Sequence, residues 1–168
     1  MSTLTIIIGN VLALIANFFA TLNGTRKNKK DMILCDIGAA SFFTISDIVL
    51  KGYSGAVQNV VAVLRNLIAL YRPDDKYLGK ILIALGVILG IYFNNLGFIG
   101  LLPVATCFYY SVCVIDKHCG PRQCKIAFIL NTIAFAIYSI VIYSIVGLVL
   151  NTFVAVTAII SLKKNPLK

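Results

Sequence analysis

The chain has 168 residues, of which 60% are hydrophobic, and its mean hydropathy is +0.94. This composition leaves little room for a soluble domain, and since a transmembrane helix needs about 20 mostly apolar residues, the chain can hold about seven of them. The formal net charge is +9, but no basic stripe is interleaved with exposed aromatic residues, so nucleic acid is excluded as a partner.

Seven helices are predicted from the hydropathy pattern, joined by short connections. They cover residues 4–22, 33–51, 54–72, 79–95, 97–115, 125–142 and 144–162. The apolar stretch over residues 125–162 is about twice as long as one span, which predicts a hairpin that turns near residues 143–146. Strands are excluded as spans because the alternating pattern of a membrane barrel is absent.

Basic residues concentrate in alternate gaps between the apolar segments. The gaps after the odd-numbered segments hold Arg26, Lys27, Lys29, Lys30, Arg72, Lys76, Lys80, Lys117, Arg122, Lys125, Lys163, Lys164 and Lys168. The other gaps carry only Lys51. Because basic loops stay in the cytoplasm, this pattern predicts an outside N-terminus and a cytoplasmic C-terminus. The basic side also suits an inner leaflet rich in anionic lipid.

An internal repeat relates the two halves of the chain at an offset of 92 residues. It sets Gly-Ala-Val-Gln-Asn at 55–59 beside Gly-Leu-Val-Leu-Asn at 147–151. Two three-helix units of the same orientation need an odd number of helices between them, and the fourth helix supplies one. The predicted fold is an all-α polytopic membrane protein with two parallel three-helix repeats (1–72 and 97–168) joined by a linker helix (73–96).

Asn59 and Asn151 occupy matching places in the third helix of each repeat. An amide offers donors and an acceptor without a charge. Two facing amides therefore predict a central binding site for a neutral or zwitterionic solute. The alternative is that both amides only bridge neighbouring helices.

Arg65 and Asp36 are ionisable residues inside predicted spans, where a charge is costly and indicates function or pairing. Arg65 lies seven residues, or about 10 Å of helix rise, from Arg72 at the cytoplasmic edge, and Asp36 lies at an overlapping depth. The two predict an ion pair across helices two and three, as an inner gate or as a docking point for an anionic group. The alternative is a snorkelling arginine with a structural counter-ion.

Asp47 lies on the same helix face as Asp36, near the predicted outer end. A membrane carboxylate that takes up protons would couple transport to a proton gradient. Lys51 follows four residues later, at the spacing of a local ion pair. The alternative is therefore a simple interfacial charge.

Further polar positions predict a polar path through the bundle, although each also suits ordinary helix packing. They are Asn17 on helix one, Tyr110 on helix five, and Asn131 and Tyr138 on helix six. Pro103 is the only proline inside a predicted span and is expected to kink helix five as a hinge.

Three glycines, Gly79, Gly86 and Gly90, share one face of helix four. Small residues allow close approach of helices, so this face serves either a homodimer or the packing of helix four on its own bundles. His118, Cys119 and Cys124 do not have a recognised metal-binding spacing. No metal, cofactor or enzyme active site is predicted, because no nucleophile–base pair or phosphate-binding loop is visible.

The chain resembles the YgjV family of bacterial inner-membrane proteins. The resemblance is carried by Gly-Tyr-Ser-Gly-Ala at 52–56, Arg-Asn at 65–66 and Leu-Leu-Pro-Val at 101–104. With its 3+1+3 plan the chain is also similar to the SWEET and PQ-loop transporters, which place one asparagine on the third helix of each repeat. This resemblance implies transport, with Asn59 and Asn151 at the site. It does not imply sugar as the solute, because the proline–glutamine dipeptide, tryptophan and all repeat prolines except Pro103 are absent.

These observations together predict a bacterial inner-membrane facilitator for a small polar solute, which works by alternating access of two bundles. The alternative is a receptor or accessory subunit that binds a protein partner or lipid. A water-accessible central cavity containing Asn59, Asn151 and Arg65 would favour the transporter. A tightly filled core would favour the alternative.

Overall fold

A computed structural model of the chain describes residues 2–72, 76–116 and 118–164, with Lys76 described by its backbone only. Two basic residues of the charge pattern, Lys117 and Lys168, lie outside the described residues. The same is true of the Lys76 side chain.

Seven α-helices account for nearly all of the described chain, and no strand occurs in it. They are α1 (Thr3–Thr25), α2 (Lys29–Val49), α3 (Tyr53–Tyr71), α4 (Lys76–Tyr92), α5 (Gly97–Ile115), α6 (Pro121–Val141) and α7 (Ile145–Lys164). The predicted all-α polytopic fold is confirmed. Five helices (α1, α2, α5, α6 and α7) are long and apolar enough by themselves to cross a membrane. Polar residues lower the hydropathy of α3, and α4 has only 17 residues.

Six helices form a closed ring around the molecular centre. Around the ring, α1 contacts α2, α2 contacts α3, α3 contacts α5, α5 contacts α6, α6 contacts α7 and α7 returns to α1. Helix α4 packs outside the ring on α3 and α5. We call the end near residues 26–28 and 116–120 the inner end, after the predicted orientation, and the opposite end the outer end.

The 92-residue offset recurs in the helix bounds. Helix α2 covers residues 29–49 and α6 covers 121–141, while α3 begins at residue 53 and α7 at residue 145. The contacts between helices repeat as well. The third helix of the first half, α3, contacts α5, the first helix of the second half, and α7 correspondingly contacts α1. These correspondences are what two three-helix units would produce. The division of the chain into repeats at residues 72 and 97 stays a prediction.

The α2–α3 and α6–α7 turns, both at the outer end, have the same backbone geometry. Lys51 and Tyr143, 92 positions apart, adopt left-handed conformations with φ of 59° and 57°. The amide of Gly52 donates to the carbonyl of Asp47 (2.7 Å), as Ser144 donates to Ser139 (2.9 Å). This is the Schellman arrangement, which ends a helix with one left-handed residue and satisfies its last carbonyls. The hairpin turn therefore lies at residues 142–144, slightly before the predicted position.

The glycine face of α4 packs within the chain itself. A Cβ on Gly79 would lie 2.7 Å from Ile115 of α5, and one on Gly86 would lie 2.8 Å from Val61 of α3. The Gln58 amide of α3 donates to the carbonyl of Gly86 at 2.8 Å. The glycine face was expected either to form a homodimer or to pack on the chain's own bundles, and in the structure it packs on the chain's own helices. A homodimer would need a different surface.

Three helix starts were predicted three or four residues too late. Helices α2 and α6 begin at residues 29 and 121, each four residues before the predicted start, and α4 begins at residue 76, three residues before it. The apolar run marks the part inside the lipid, whereas the helix continues into basic residues that its N-cap supports. Asn28 caps α2 by accepting a hydrogen bond from Lys30. Lys125, predicted at the cytoplasmic start of the sixth helix, is consequently buried in α6, where it donates to Ser161 of α7 at 3.0 Å.

Helix α5 continues through Pro103, which is buried. The expected hinge at this residue stays a prediction.

Candidate functional site

A cavity of about 40 Å³ lies at the centre of the ring. All six ring helices contribute to its wall. Six of the predicted site residues line it: Asp36, Asn59, Arg65, Tyr110, Asn131 and Asn151. Its volume admits about three water molecules, which is too little for an organic solute. The sequence prediction had thus identified the wall of the cavity, but not how little space it encloses.

The two repeat-related amides both face this cavity but differ in their partners. The Asn59 amide donates to the Asp47 carboxylate at 3.0 Å. The Asn151 side chain is 3% exposed and makes no hydrogen bond to another described residue. A buried amide normally has partners, because an unpaired polar group costs about 1–3 kcal/mol. The Asn151 amide is therefore available to water or to a solute in the cavity.

Arg65 forms the expected ion pair with Asp36 on the inner side of the cavity. The Nη2 atom lies 2.9 Å from the Asp36 carboxylate, and Nη1 lies 2.8 Å from the Ser111 hydroxyl. The Nε atom donates to the Asn66 amide oxygen at 3.0 Å. The guanidinium carbon also lies 4.7 Å from the centre of the Tyr110 ring, a cation–π distance.

Asp36 is held by several donors at once. Besides Arg65, the Asn66 amide donates to it at 2.8 Å and the Asn23 amide lies 3.5 Å away. Three of the five guanidinium N–H groups of Arg65 have acceptors among the described residues, which leaves two without one. Arg65 is 0% exposed, so it does not snorkel to the interface.

Three members of this network were missed as site residues by the sequence reasoning. Asn23 was assigned to the first loop, because the apolar run ends at Leu22, yet α1 continues to Thr25. Asn66 and Ser111 directly follow Arg65 and Tyr110, which were singled out. Proximity to an intramembrane arginine was the signal that could have identified Asn66. No sequence signal indicated Ser111.

Asp47 is buried near the outer end, and the expected ion pair with Lys51 was wrong. Asp47 is 4% exposed, whereas Lys51 is exposed in the turn. The only ion pair within the described residues joins Arg65 to Asp36. The physical reason is the left-handed conformation of Lys51, which ends the helix and removes the i, i+4 geometry.

Tyr138 does not line the cavity but closes the outer end above it. Its hydroxyl accepts a hydrogen bond from the Gly55 amide (3.1 Å) and lies 3.2 Å from the Ser54 hydroxyl. It thereby satisfies a free amide in the first turn of α3. Asn10 of α1 does the same for α7, accepting from the Val146 amide at 2.9 Å. Side chains of each half thus cap a helix of the other half.

Asn17 was predicted to bind solute, but it does not reach the cavity. It is 1% exposed, donates to the Ala13 carbonyl of its own helix at 2.8 Å, and borders an apolar groove between α1 and α7. Its amide oxygen has no partner among the described residues. Helical spacing correctly placed Asn17 on a buried face, but not on the face directed at the centre.

A second cavity, of about 480 Å³, opens at the inner end between α2, α3 and α5. Its wall includes the basic residues Lys29, Lys30 and Arg72. The Lys29 ammonium donates to the carbonyls of Cys113 (3.3 Å) and Asp116 (3.0 Å). A cation at the end of α5 is favourable because the helix dipole is negative there.

Potential metal ligands do not assemble in the described part of the chain. No group of three or more His, Cys, Asp or Glu residues occurs there. The sulfurs of Cys119 and Cys124 lie 3.9 Å apart as free thiols. Burial raises the pKa of the Cys119 thiol, in the loop between α5 and α6, and so disfavours the thiolate that would bind a metal.

Comparison with known proteins identifies the family. Residues 7–165 match the model of the Imp-YgjV family, described as a bacterial inner membrane protein. The searches of curated proteins and of solved structures found no match. The family match covers nearly the whole chain and agrees with its membrane-spanning helices. The chain therefore belongs to the YgjV family of bacterial inner membrane proteins.

Proposed function

We propose that the protein carries a small polar organic solute across the inner membrane by alternating access of its two halves. The observation that carries this proposal is the unpartnered Asn151 amide in a central cavity that Asn59 and Arg65 also line. An amide pair and an arginine with free donors suit a neutral or zwitterionic solute bearing a carboxylate or similar acceptor. The resemblance to SWEET and PQ-loop transporters supports the same conclusion.

In this proposal the described conformation is the closed one. A cavity of about 40 Å³ is too small for the solute, so binding requires the two halves to separate. The outer end is closed by the two cross-half caps of Tyr138 and Asn10. The inner end is closed by the Arg65–Asp36 pair, beyond which the basic cavity opens. The simplest carrier of this kind is a facilitator, with Pro103 as one point of flexing.

A ligand screen tests the proposal directly. Purified protein in detergent is heated with sugars, nucleosides, vitamins and amino acids, and a bound solute raises the unfolding temperature by mass action. Asn59→Ala and Asn151→Ala should abolish the shift. Thr152→Ala is the matched control, because Thr152 follows Asn151 on the same helix but is exposed. A shift that survives both asparagine variants would exclude this site.

The second candidate is a receptor or accessory subunit that moves no solute. The small cavity and the hydrogen-bond network around Arg65 favour it, since both are also properties of a packed core. Its partner would be a membrane protein, or anionic lipid bound by exposed inner-end cations such as Arg26 and Lys27. This candidate would be supported if the solute screen is negative and the protein cross-links to a partner in native membranes. The cross-link should be lost in the Arg26→Glu/Lys27→Glu variant.

A further inference from the structure

The two buried carboxylates of the ring have unequal compensation. Asp36 has an arginine and the Asn66 amide within 3 Å. Asp47 has one donor to its carboxylate, the Asn59 amide at 3.0 Å. No cation of the described chain pairs with Asp47. An ionised carboxylate that is buried without a cation is costly, because desolvation disfavours the charged form, so a neutral form is the stable one.

The groups that face Asp47 from neighbouring helices do not change this balance. From α3 they are the neutral Asn59 and the backbone of Gly55. Gly55 lies so close that a Cβ added to it would be 2.7 Å from the carboxylate. The titratable groups nearby are Tyr138 of α6 and Cys107 of α5, both buried and both able only to add negative charge. Helix α1 brings no titratable side chain to it. Of these neighbours, only the Asn59 amide favours a charged Asp47, and one amide donor does not replace a cation.

We propose that Asp47 is a proton-binding site, occupied in the closed conformation and coupled to the central site through Asn59. The inference rests on the proposed carrier function and converts the facilitator into a proton-linked carrier. The proton adds to the carboxylate from the water on whichever side the cavity opens, and it leaves to water when the ring opens. A charged Asp47 binds the Asn59 amide more strongly than a neutral one, so proton release withdraws Asn59 from the solute.

A metal cation such as Na⁺ fits the same position poorly. Such an ion needs several oxygen ligands, as hard cations generally do. The group directed at Asp47 is an N–H donor of Asn59, which repels a cation, and the Tyr138 hydroxyl oxygen already accepts from the Gly55 amide and contacts the Ser54 hydroxyl. A proton needs no such ligand set.

The second half of the ring offers an internal control. Ser139 stands 92 positions after Asp47, in the same place before an equivalent turn. A glycine packs against each of them: a Cβ on Gly55 would lie 2.7 Å from the Asp47 carboxylate, and one on Gly147 would lie 2.8 Å from the Ser139 hydroxyl. A serine is thus compatible with this position in the fold. Asp47→Ser should therefore fold even where Asp47→Asn does not.

Infrared difference spectroscopy of the full chain in lipid vesicles tests the proton site without a solute. The C=O band of a protonated carboxylic acid is separate from that of a carboxylate and shifts in D₂O. We expect the band in the wild-type protein at neutral pH, where exposed carboxylates are ionised. It should disappear in Asp47→Asn and Asp47→Ser. It should persist in Asp116→Asn, the matched control, because Asp116 is exposed.

Two results would overturn the proposal: absence of the band in the wild-type protein at neutral pH, or its persistence in either Asp47 variant. The first result is obtained with the wild-type protein and so does not depend on the folding of a variant. Neither result bears on the carrier proposal, which the ligand screen tests separately. Conversely, a screen without hits does not remove an Asp47-dependent band, so failure of the proton site and failure of the carrier function are distinguishable.

Discussion

The inner and outer ends of the ring bury one aspartate each and treat it differently. At the inner end, Asp36 is paired with Arg65, and Asn66 and Ser111 complete the network. At the outer end, Asp47 has one amide donor, Asn59, and lies beneath the Tyr138 cap. The comparison shows that two buried carboxylates of one ring can differ widely in the donors around them. In the proton-site proposal, only the carboxylate without a cation changes its charge during the cycle.

The largest effect is expected from breaking the inner pair. Arg65→Gln leaves the Asp36 carboxylate buried without its cation, which should cost about 3–5 kcal/mol of unfolding free energy. Denaturant unfolding in mixed micelles measures it. Asp36→Asn/Arg65→Gln should lose less than Arg65→Gln alone, because no charge then remains buried. A double variant that loses more would show that the pair is not the compensating unit.

Crowding the outer cluster should have the next largest effect. In Gly55→Ala, the new methyl group would lie 2.7 Å from the Asp47 carboxylate and 2.8 Å from the Tyr138 ring. Overpacking of this kind costs about 1–3 kcal/mol, measurable by the same unfolding assay. Gly24→Ala is the control, since its nearest neighbour is the Ala158 methyl at 3.3 Å. Equal losses in both variants would contradict a close-packed outer cluster.

Removing the outer cap should have a smaller effect. Tyr138→Phe keeps the ring but deletes the hydroxyl that the Gly55 amide and Ser54 use. The loss of a buried hydrogen-bond partner should cost about 1–3 kcal/mol, at the low end if water replaces it. It should also speed hydrogen exchange of the first amides of α3. Tyr143→Phe, at a 71% exposed position, should change neither quantity.

The smallest effect is expected from Asp47→Asn. If Asp47 is neutral in the closed state, the amide replaces a group of the same shape and charge, and the Asn59 amide keeps an acceptor. The unfolding free energy at neutral pH should change by less than about 1 kcal/mol. Asp36→Asn in the same assay should lose several times more, because it leaves Arg65 unpaired. Similar losses in the two variants would mean that Asp47 is also ionised.

Pattern-based reasoning succeeded where a residue's depth alone determined its partner. Arg65 and Asp36 were paired correctly because their distances from the cytoplasmic edge overlap and an unpaired charge is costly in lipid. It failed for Asn17 and for the Asp47–Lys51 pair. In those cases the outcome depended on helix rotation about its axis and on the backbone conformation of a turn, and neither follows from hydropathy.

The amino-acid sequence by itself determined the helical class, the predicted orientation and the matching of residues 92 positions apart. Lipid requires each span to satisfy its own backbone hydrogen bonds and keeps basic loops on one side of the membrane. The helical class and the predicted orientation therefore follow from local composition. Only the tertiary structure decided which polar residues meet at the centre, that α4 lies outside the ring, and that Asp36 is compensated while Asp47 is not. The reason is that partners such as Asp36 and Ser111 come from helices distant in sequence, and their meeting depends on how the whole ring packs.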